Sequence, residues 1–126
     1  MNPQWLSATI HEFGKGLGLT RLHVNDRGVA CVHIAHIGSL FIEPDEEGVL
    51  VYLARDYGVS LSRAVLERAL LQAHPGTAPP PDIRVGLRHA SQLVFGMRLR
   101  ASECTAAALE GALERLRYAQ ERVREA

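Results

Sequence analysis

A chain of 126 residues falls within the usual size of one domain, and with 47% hydrophobic residues it can bury a core without disulfides or metals. Its 14 lysines and arginines balance 14 aspartates and glutamates, so no long-range field gathers nucleic acid, an anionic membrane or acidic ligands. Cys31 and Cys104 share no C-x-x-C spacing and read as free thiols of a reducing cytoplasm. The opening MNPQWLSATIHEFGK lacks a basic segment followed by an apolar block, and no stretch reaches the roughly 18 apolar residues of a spanning helix. One soluble domain over residues 1–126, without an export signal or membrane segment, is the expectation.

Asn2 followed by Pro3 reads as an N-cap and first helical position, and Leu6, Ile10, Phe13 and Leu17 then recur at helical spacing. Gly14, Gly16 and Gly18 mark the end of this helix, and any of them could take the left-handed conformation that terminates it. After a loop around Asn25 to Gly28, the β-branched run VACVHIAHI predicts a strand, and SLFIE after Gly38 a second. Pro44 to Gly48 form a polar turn, with VLVYLA as the antiparallel partner beyond it. Leu61, Val65, Ala69 and Ala73 make a helical stripe over about residues 60–73, which Leu66, Leu70 and Leu71 widen beyond what one sheet face covers.

The segment HPGTAPPP over residues 74–81 cannot continue a helix or join a ladder, because proline lacks the N–H donor and fixes its backbone angle. Ile83, Val85 and Leu87, then Leu93, Phe95, Met97 and Leu99, alternate as two strands around a turn near Ala90. Ser102 caps a long last helix whose Leu109, Leu113, Leu116 and Val123 line one side, while Glu114, Arg117, Glu121 and Arg124 stay wet. The predicted order is α-β-β-β-α-β-β-α, an α+β fold with a twisted antiparallel sheet packed with helices.

No catalytic pattern survives inspection of spacing and context. His33 and His36 point to opposite faces if both lie on a strand, so they do not share one metal easily. His11-Glu12 opens like a zincin helix, but Lys15 stands where the second histidine belongs. Gly14-Lys15-Gly16-Leu17-Gly18 follows a helix and lacks the spacing of a phosphate loop. No serine sits in a G-x-S-x-G turn, and Asp45, Glu46 and Glu47 read as a solvated hairpin tip. Arg115, Arg117, Arg122 and Arg124 interleave with Glu110, Glu114, Glu121 and Glu125, which cancels a nucleic-acid-binding field. What remains is apolar excess on the second helix and on VLVYLA, and such excess marks an interface.

Trp5, Phe13 and Gly16-Leu17-Gly18-Leu19 at the opening, Gly38-Ser39-Leu40 leading into Ile42-Glu43, and Val51-Tyr52-Leu53-Ala54-Arg55 form a recognisable set. Together with Ser91-Gln92-Leu93-Val94, the Leu-rich last helix and the element order, they resemble the class I type III secretion chaperones of Gram-negative bacteria, the CesT-like and SycE-like proteins, and within them the SycN branch. The resemblance implies a cytoplasmic, non-enzymatic dimer without cofactors. The second helix and a neighbouring strand would form the subunit contact, making Leu66, Leu70 and Ala73 candidates for it. Outer surfaces of the sheet and first helix would hold an extended N-terminal segment of a secreted client, with Leu40, Ile42, Val51 and Leu53 as candidates for client contact or core.

SycN-like members imply a heterodimer with a second small chaperone and a secretion gatekeeper as client. A homodimeric effector chaperone, an adaptor of the secretion apparatus, and a small metal-dependent hydrolase using His33, His36 and an acidic residue are the alternatives. Many such chaperones are acidic, whereas this chain is neutral, so strand addition and hydrophobic docking, and not charge, are expected to hold the client.

Overall fold

The computed structural model describes residues 4–19, 22–58, 61–72, 83–89 and 91–124, and begins with helix α1 (Gln4–Gly16). Leu6, Ile10 and Phe13 are buried along one side of it, as their helical spacing predicts. The helix ends in a Schellman turn, in which the Leu19 N–H donates to the Gly14 carbonyl at 2.8 Å and the Gly18 N–H to the Lys15 carbonyl at 3.2 Å. Gly18 takes φ +70°, so it is the glycine that the left-handed position requires. Leu17, expected as the fourth member of the buried stripe, lies beyond the helix and is 40% exposed. The Asn2-Pro3 start lies outside the described residues.

The strands are β1 (His23–Val24), β2 (Ala30–Ile34), β3 (Gly38–Asp45), β4 (Gly48–Asp56), β5 (Arg84–Arg88) and β6 (Gln92–Arg100), antiparallel in the order β1-β2-β3-β4-β6-β5. The two-residue β1 was not expected from sequence; it pairs Val24 with Ala30, and the Asn25 side chain closes the loop by accepting the N–H groups of Arg27 and Val29. VACVHIAHI is shorter as a strand than its composition predicts. It stops at Ile34 because Ala35 to Ile37 make the turn, with His36 at φ +66° and the Ile37 N–H bonded to the Ile34 carbonyl at 3.0 Å. The next turn is tighter than expected, since Asp45 still pairs with Gly48 and only Glu46 and Glu47 lie between. A Cβ on Gly48 would collide with the Leu99 carbonyl oxygen of β6, so glycine is needed for this close approach.

Helix α2 (Arg63–Gln72) is capped by Ser62, whose Oγ accepts the Val65 N–H at 3.2 Å. Ala73, HPGTAPPP and Ala90 lie outside the described residues. Helix α3 (Ala106–Arg124) is capped by Thr105 through the Ala108 N–H at 3.1 Å, and not by Ser102, which belongs to a preceding 3₁₀ turn (Ala101–Glu103). Its C-terminal end is held by Arg68 of α2, whose Nε–H donates to the Val123 carbonyl at 3.0 Å, placing a cation where the helix dipole favours one.

The strand register aligns Ala30, Ile42, Val51 and Met97 in one row across the sheet, and Val32, Leu40, Leu53, Phe95 and Val85 in the next. These rows share a core with Leu6, Ile10 and Phe13 of α1, Ala69 of α2, and Leu109, Leu113, Leu116 and Val123 of α3. α3 packs on β4 and β6, and α1 and α2 each pack against α3, so the three helices cover one face. Among the described residues Gln120 is the buried polar residue of the core, 3% exposed, and its Nε2 donates to the Ile37 carbonyl at 2.7 Å.

Leu53→Ala opens a cavity in a fully packed core and should lower unfolding stability by about 2–5 kcal/mol. Leu70→Ala, at a residue 53% exposed, should change it by less than about 0.5 kcal/mol. Paired urea denaturation of the two variants checks this difference.

Candidate functional site

Leu40, Ile42, Val51 and Leu53 are each 1% exposed or less and face the helices. Of the two roles open to them they take the core one: a side chain sealed under three helices has no surface to offer a client. Their sequence neighbours, one residue out of phase, hold the opposite face. There Phe41 and Tyr52 stack with ring centroids 4.9 Å apart and an interplanar angle of 13°, and the Tyr52 hydroxyl donates to Glu43 at 3.3 Å. Partial burial, reinforced by the Glu43 carboxylate, pushes the Tyr52 hydroxyl above its ordinary pKa, so it stays a donor at neutral pH. Leu50 and Val94 share this face by register and are half-buried. The guanidinium of Arg88 lies 5.9 Å from the Phe41 ring centroid.

Acidic and basic groups flank the stack. Arg98 of β6 bridges to Asp45 at 2.6 Å and to Glu47 at 3.3 Å, tying the β3–β4 turn to the neighbouring strand. The hairpin tip is thus partly engaged, where sequence predicted a merely solvated one.

A second apolar surface lies on α2. Leu66 is half-buried against the core, whereas Leu70 and Leu71 are 53% and 56% exposed. α2 packs against β5, whose Leu87 is 51% exposed. Three large apolar side chains of two contacting elements are therefore left in water. Ala73, the third candidate for the subunit contact, lies outside the described residues.

At the other end of the sheet, a groove of about 550 Å³ runs between α1 and β1, lined by Ile10, His11, Gly14, Lys15, Leu22 and Val24 among others. Gly14 forms part of its wall, where a Cβ would come within 3.1 Å of Leu22 Cδ2. β1 is the terminal strand there, so an apolar cleft adjoins a sheet edge. Sequence reasoning missed this groove, because the two residues of β1 carry no periodic signal.

His33 is exposed on β2 and His36 is exposed in the following turn. Among the described residues no three His, Cys, Asp or Glu side chains are grouped to hold a metal ion, so the hydrolase reading gains no site. No helix of the described residues is long and apolar enough to cross a membrane.

The fold is that of type III secretion chaperones. The Yersinia pestis type III secretion chaperone SycH, solved in complex with a stable fragment of YscM2, is similar with a TM-score of 0.68 at 20% identity, over 95% of this chain and 98% of that one. A chain of the ExsC–ExsE complex is similar with a TM-score of 0.78 at 17% identity, over 99% and 96%. A chain of the heterodimeric ExoU–SpcU complex from the Pseudomonas aeruginosa type III secretion system gives 0.63 at 23% identity, over 90% and 93%. The sequence profile of the type III secretory system chaperone SycN matches residues 5–124, and the chain belongs to that family. It is a secretion chaperone and not an enzyme. No curated protein sequence matches it.

Cys31 is exposed, whereas Cys104 is 5% exposed and burial pushes its thiol pKa up. A chromogenic disulfide reagent should therefore titrate one thiol quickly in the native chain and the second only after denaturant is added; two fast thiols would show that the cap region of α3 opens readily.

Proposed function

We propose that this chain is one subunit of a chaperone heterodimer that keeps the N-terminal segment of a type III secreted protein, the secretion gatekeeper, competent for export from the bacterial cytoplasm. The observation that carries the reading is the apolar surface left outside a completed core, Leu70 and Leu71 on α2 beside Leu87 on β5. In this reading α2 and β5 meet the second small chaperone. The client segment adds backbone hydrogen bonds at the β1 edge and places apolar side chains in the adjoining groove, where Leu22 and Val24 line the wall.

Such work is binding alone. A disordered segment loses conformational entropy on ordering, so a preformed groove must supply enough apolar burial to exceed that loss. The client dissociates when the export machinery binds or unfolds it more favourably, and no chemical step is needed.

The family match over residues 5–124 supports the SycN-like assignment, and the neutral charge of the chain favours hydrophobic docking over electrostatic capture. Alone, the chain should be poorly soluble or self-associated and should gain stability on co-expression with its partner subunit. Sizing with light scattering tests this: a stable, soluble monomer that no second small chain stabilises would refute the heterodimer. A stable homodimer that captures an effector would favour the homodimeric alternative.

Leu70→Asp should weaken subunit association at least about tenfold without unfolding the chain, because the carboxylate is exposed in the free subunit and desolvated in the complex. Leu66→Asp is a poorer probe, since Leu66 also packs on the core. Val24 also packs on the core, so Val24→Asp is read only once urea denaturation shows that the variant folds, and it should then weaken client retention and leave the subunit contact intact. His33→Ala and His36→Ala should change neither, and co-purification of client and partner with each variant measures all four.

A further inference from the structure

We propose that the outer edge of β5 accepts an edge strand from a different subunit carrying carboxylates opposite Arg84 and Arg88, and disfavours pairing with a second copy of this chain. The proposal rests on the heterodimer reading and adds to it the chemistry that selects the partner. β5 is the last strand of the sheet, so among the described residues one of its edges has no strand beside it. Its five residues, Arg84-Val85-Gly86-Leu87-Arg88, alternate between the two faces: Val85 turns to the core row, and Arg84, Gly86 and Arg88 to the face opposite the three α-helices.

The two arginines differ from their neighbour on β6. Arg98 has the carboxylates of Asp45 and Glu47 within ion-pair distance. Among the described residues Arg84 and Arg88 make no ion pair; Arg88 lies near the Phe41 ring and close enough to Tyr52 to act on its hydroxyl, and its Nε–H donates to His89 at 3.2 Å. Each therefore keeps a full charge for a partner.

Register decides what that charge does. If two copies of β5 paired antiparallel along their whole length, the pairing would centre on Gly86. Arg84 would then stand opposite the copy's Arg88, and Arg88 opposite the copy's Arg84, while Val85 met the copy's Leu87. The apolar residues match in such a pair and the charges clash twice, because like charges directly opposite on one face repel. A partner strand with Asp or Glu at the two positions keeps the apolar match and turns both clashes into attractions. Charge on an exposed edge is a known guard against self-pairing. Here it would also act as a selector, because Leu87 continues the exposed apolar surface of Leu70 and Leu71 on α2, where the second subunit is proposed to dock.

The chain itself supplies the probe. The Arg84→Glu/Arg88→Glu variant is the charge complement of the wild type in this register, so an equimolar mixture of the two should form a mixed dimer at least about tenfold tighter than either chain forms alone at low salt. The excess should shrink as salt shortens the screening length from about 30 Å at 0.01 M to about 3 Å at 1 M. Sedimentation velocity with one chain fluorescently labelled reads both quantities. The neutral Arg84→Gln/Arg88→Gln variant should self-associate more tightly than the wild type, and it keeps the test valid if the glutamate variant folds poorly. A mixture that associates no better than its components, or a neutral variant that self-associates no more tightly than the wild type, would overturn the proposal. The heterodimer reading instead falls on the co-expression experiment, so each can fail without the other.

Discussion

The packing of α3 across β4 and β6 is the contact on which the rest of the molecule depends. Leu109, Leu113, Leu116 and Val123 supply the buried apolar surface, and Ala112 and Ala119, each 2% exposed, let the helix lie close against its neighbours. Each fully buried large side chain in this layer is worth about 1.5–3 kcal/mol, well above any surface ion pair at about 0–1 kcal/mol. α1 and α2 then dock on α3, which places every helix on the same face. Gln120 adds direction to this apolar layer: its bond to the Ile37 carbonyl joins α3 to the β2–β3 turn, and a buried polar group of this kind penalises sliding or rotation that would leave it unpaired.

One consequence is that, among the described residues, helices cover the sheet on one side only. The other face must tolerate water, and it does so with the stacked Phe41 and Tyr52, the Tyr52–Glu43 hydrogen bond and the Arg88 guanidinium over Phe41. Aromatic rings with a polar tip or a cation above them leave less bare hydrocarbon than aliphatic residues would. On α2, Leu70 is an aliphatic side chain 53% exposed. The two exposed regions thus differ in kind: the rings of the open sheet face carry a polar or cationic cover, whereas the α2–β5 surface proposed for the second subunit leaves Leu70 and Leu87 53% and 51% exposed.

Much of the fold was legible in the chain because its signals are local. Leu6, Ile10 and Phe13 show the helical period, the turn residues between Pro44 and Gly48 mark the hairpin, and the leucines of α3 define one face. Which face of a strand is buried is a different matter. Leu40, Ile42, Val51 and Leu53 alternate with Phe41, Leu50 and Tyr52, and both sets are apolar, so alternation alone could not say which set meets the helices; α3 decides it through tertiary packing. The short strand β1 and the groove beside it escaped for a related reason, since two residues cannot display a period. The wide apolar stripe of α2 was visible, and the structure narrows it, moving Leu66 towards the core and leaving Leu70 and Leu71 outside. Arg84 and Arg88 carry no signal in the sequence because a balanced total charge hides a local imbalance, and only the strand order puts both at an edge.

Strand order also bears on how a chaperone can hold two partners at once. β1 and β5 stand at opposite ends of the sheet, separated by β2, β3, β4 and β6. The α1–β1 groove proposed for the client and the α2–β5 surface proposed for the second subunit therefore share no strand, and occupation of one does not exclude the other. Both surfaces are tied to the same rigid layer through α3, which touches α1 and α2 alike. The groove wall of Ile10, Leu22 and Val24 is preformed within this chain and does not depend on the surface proposed for the second subunit. On the proposed reading, a client removed from the β1 edge would leave the dimer intact, because the proposed subunit contact lies at the opposite edge of the sheet.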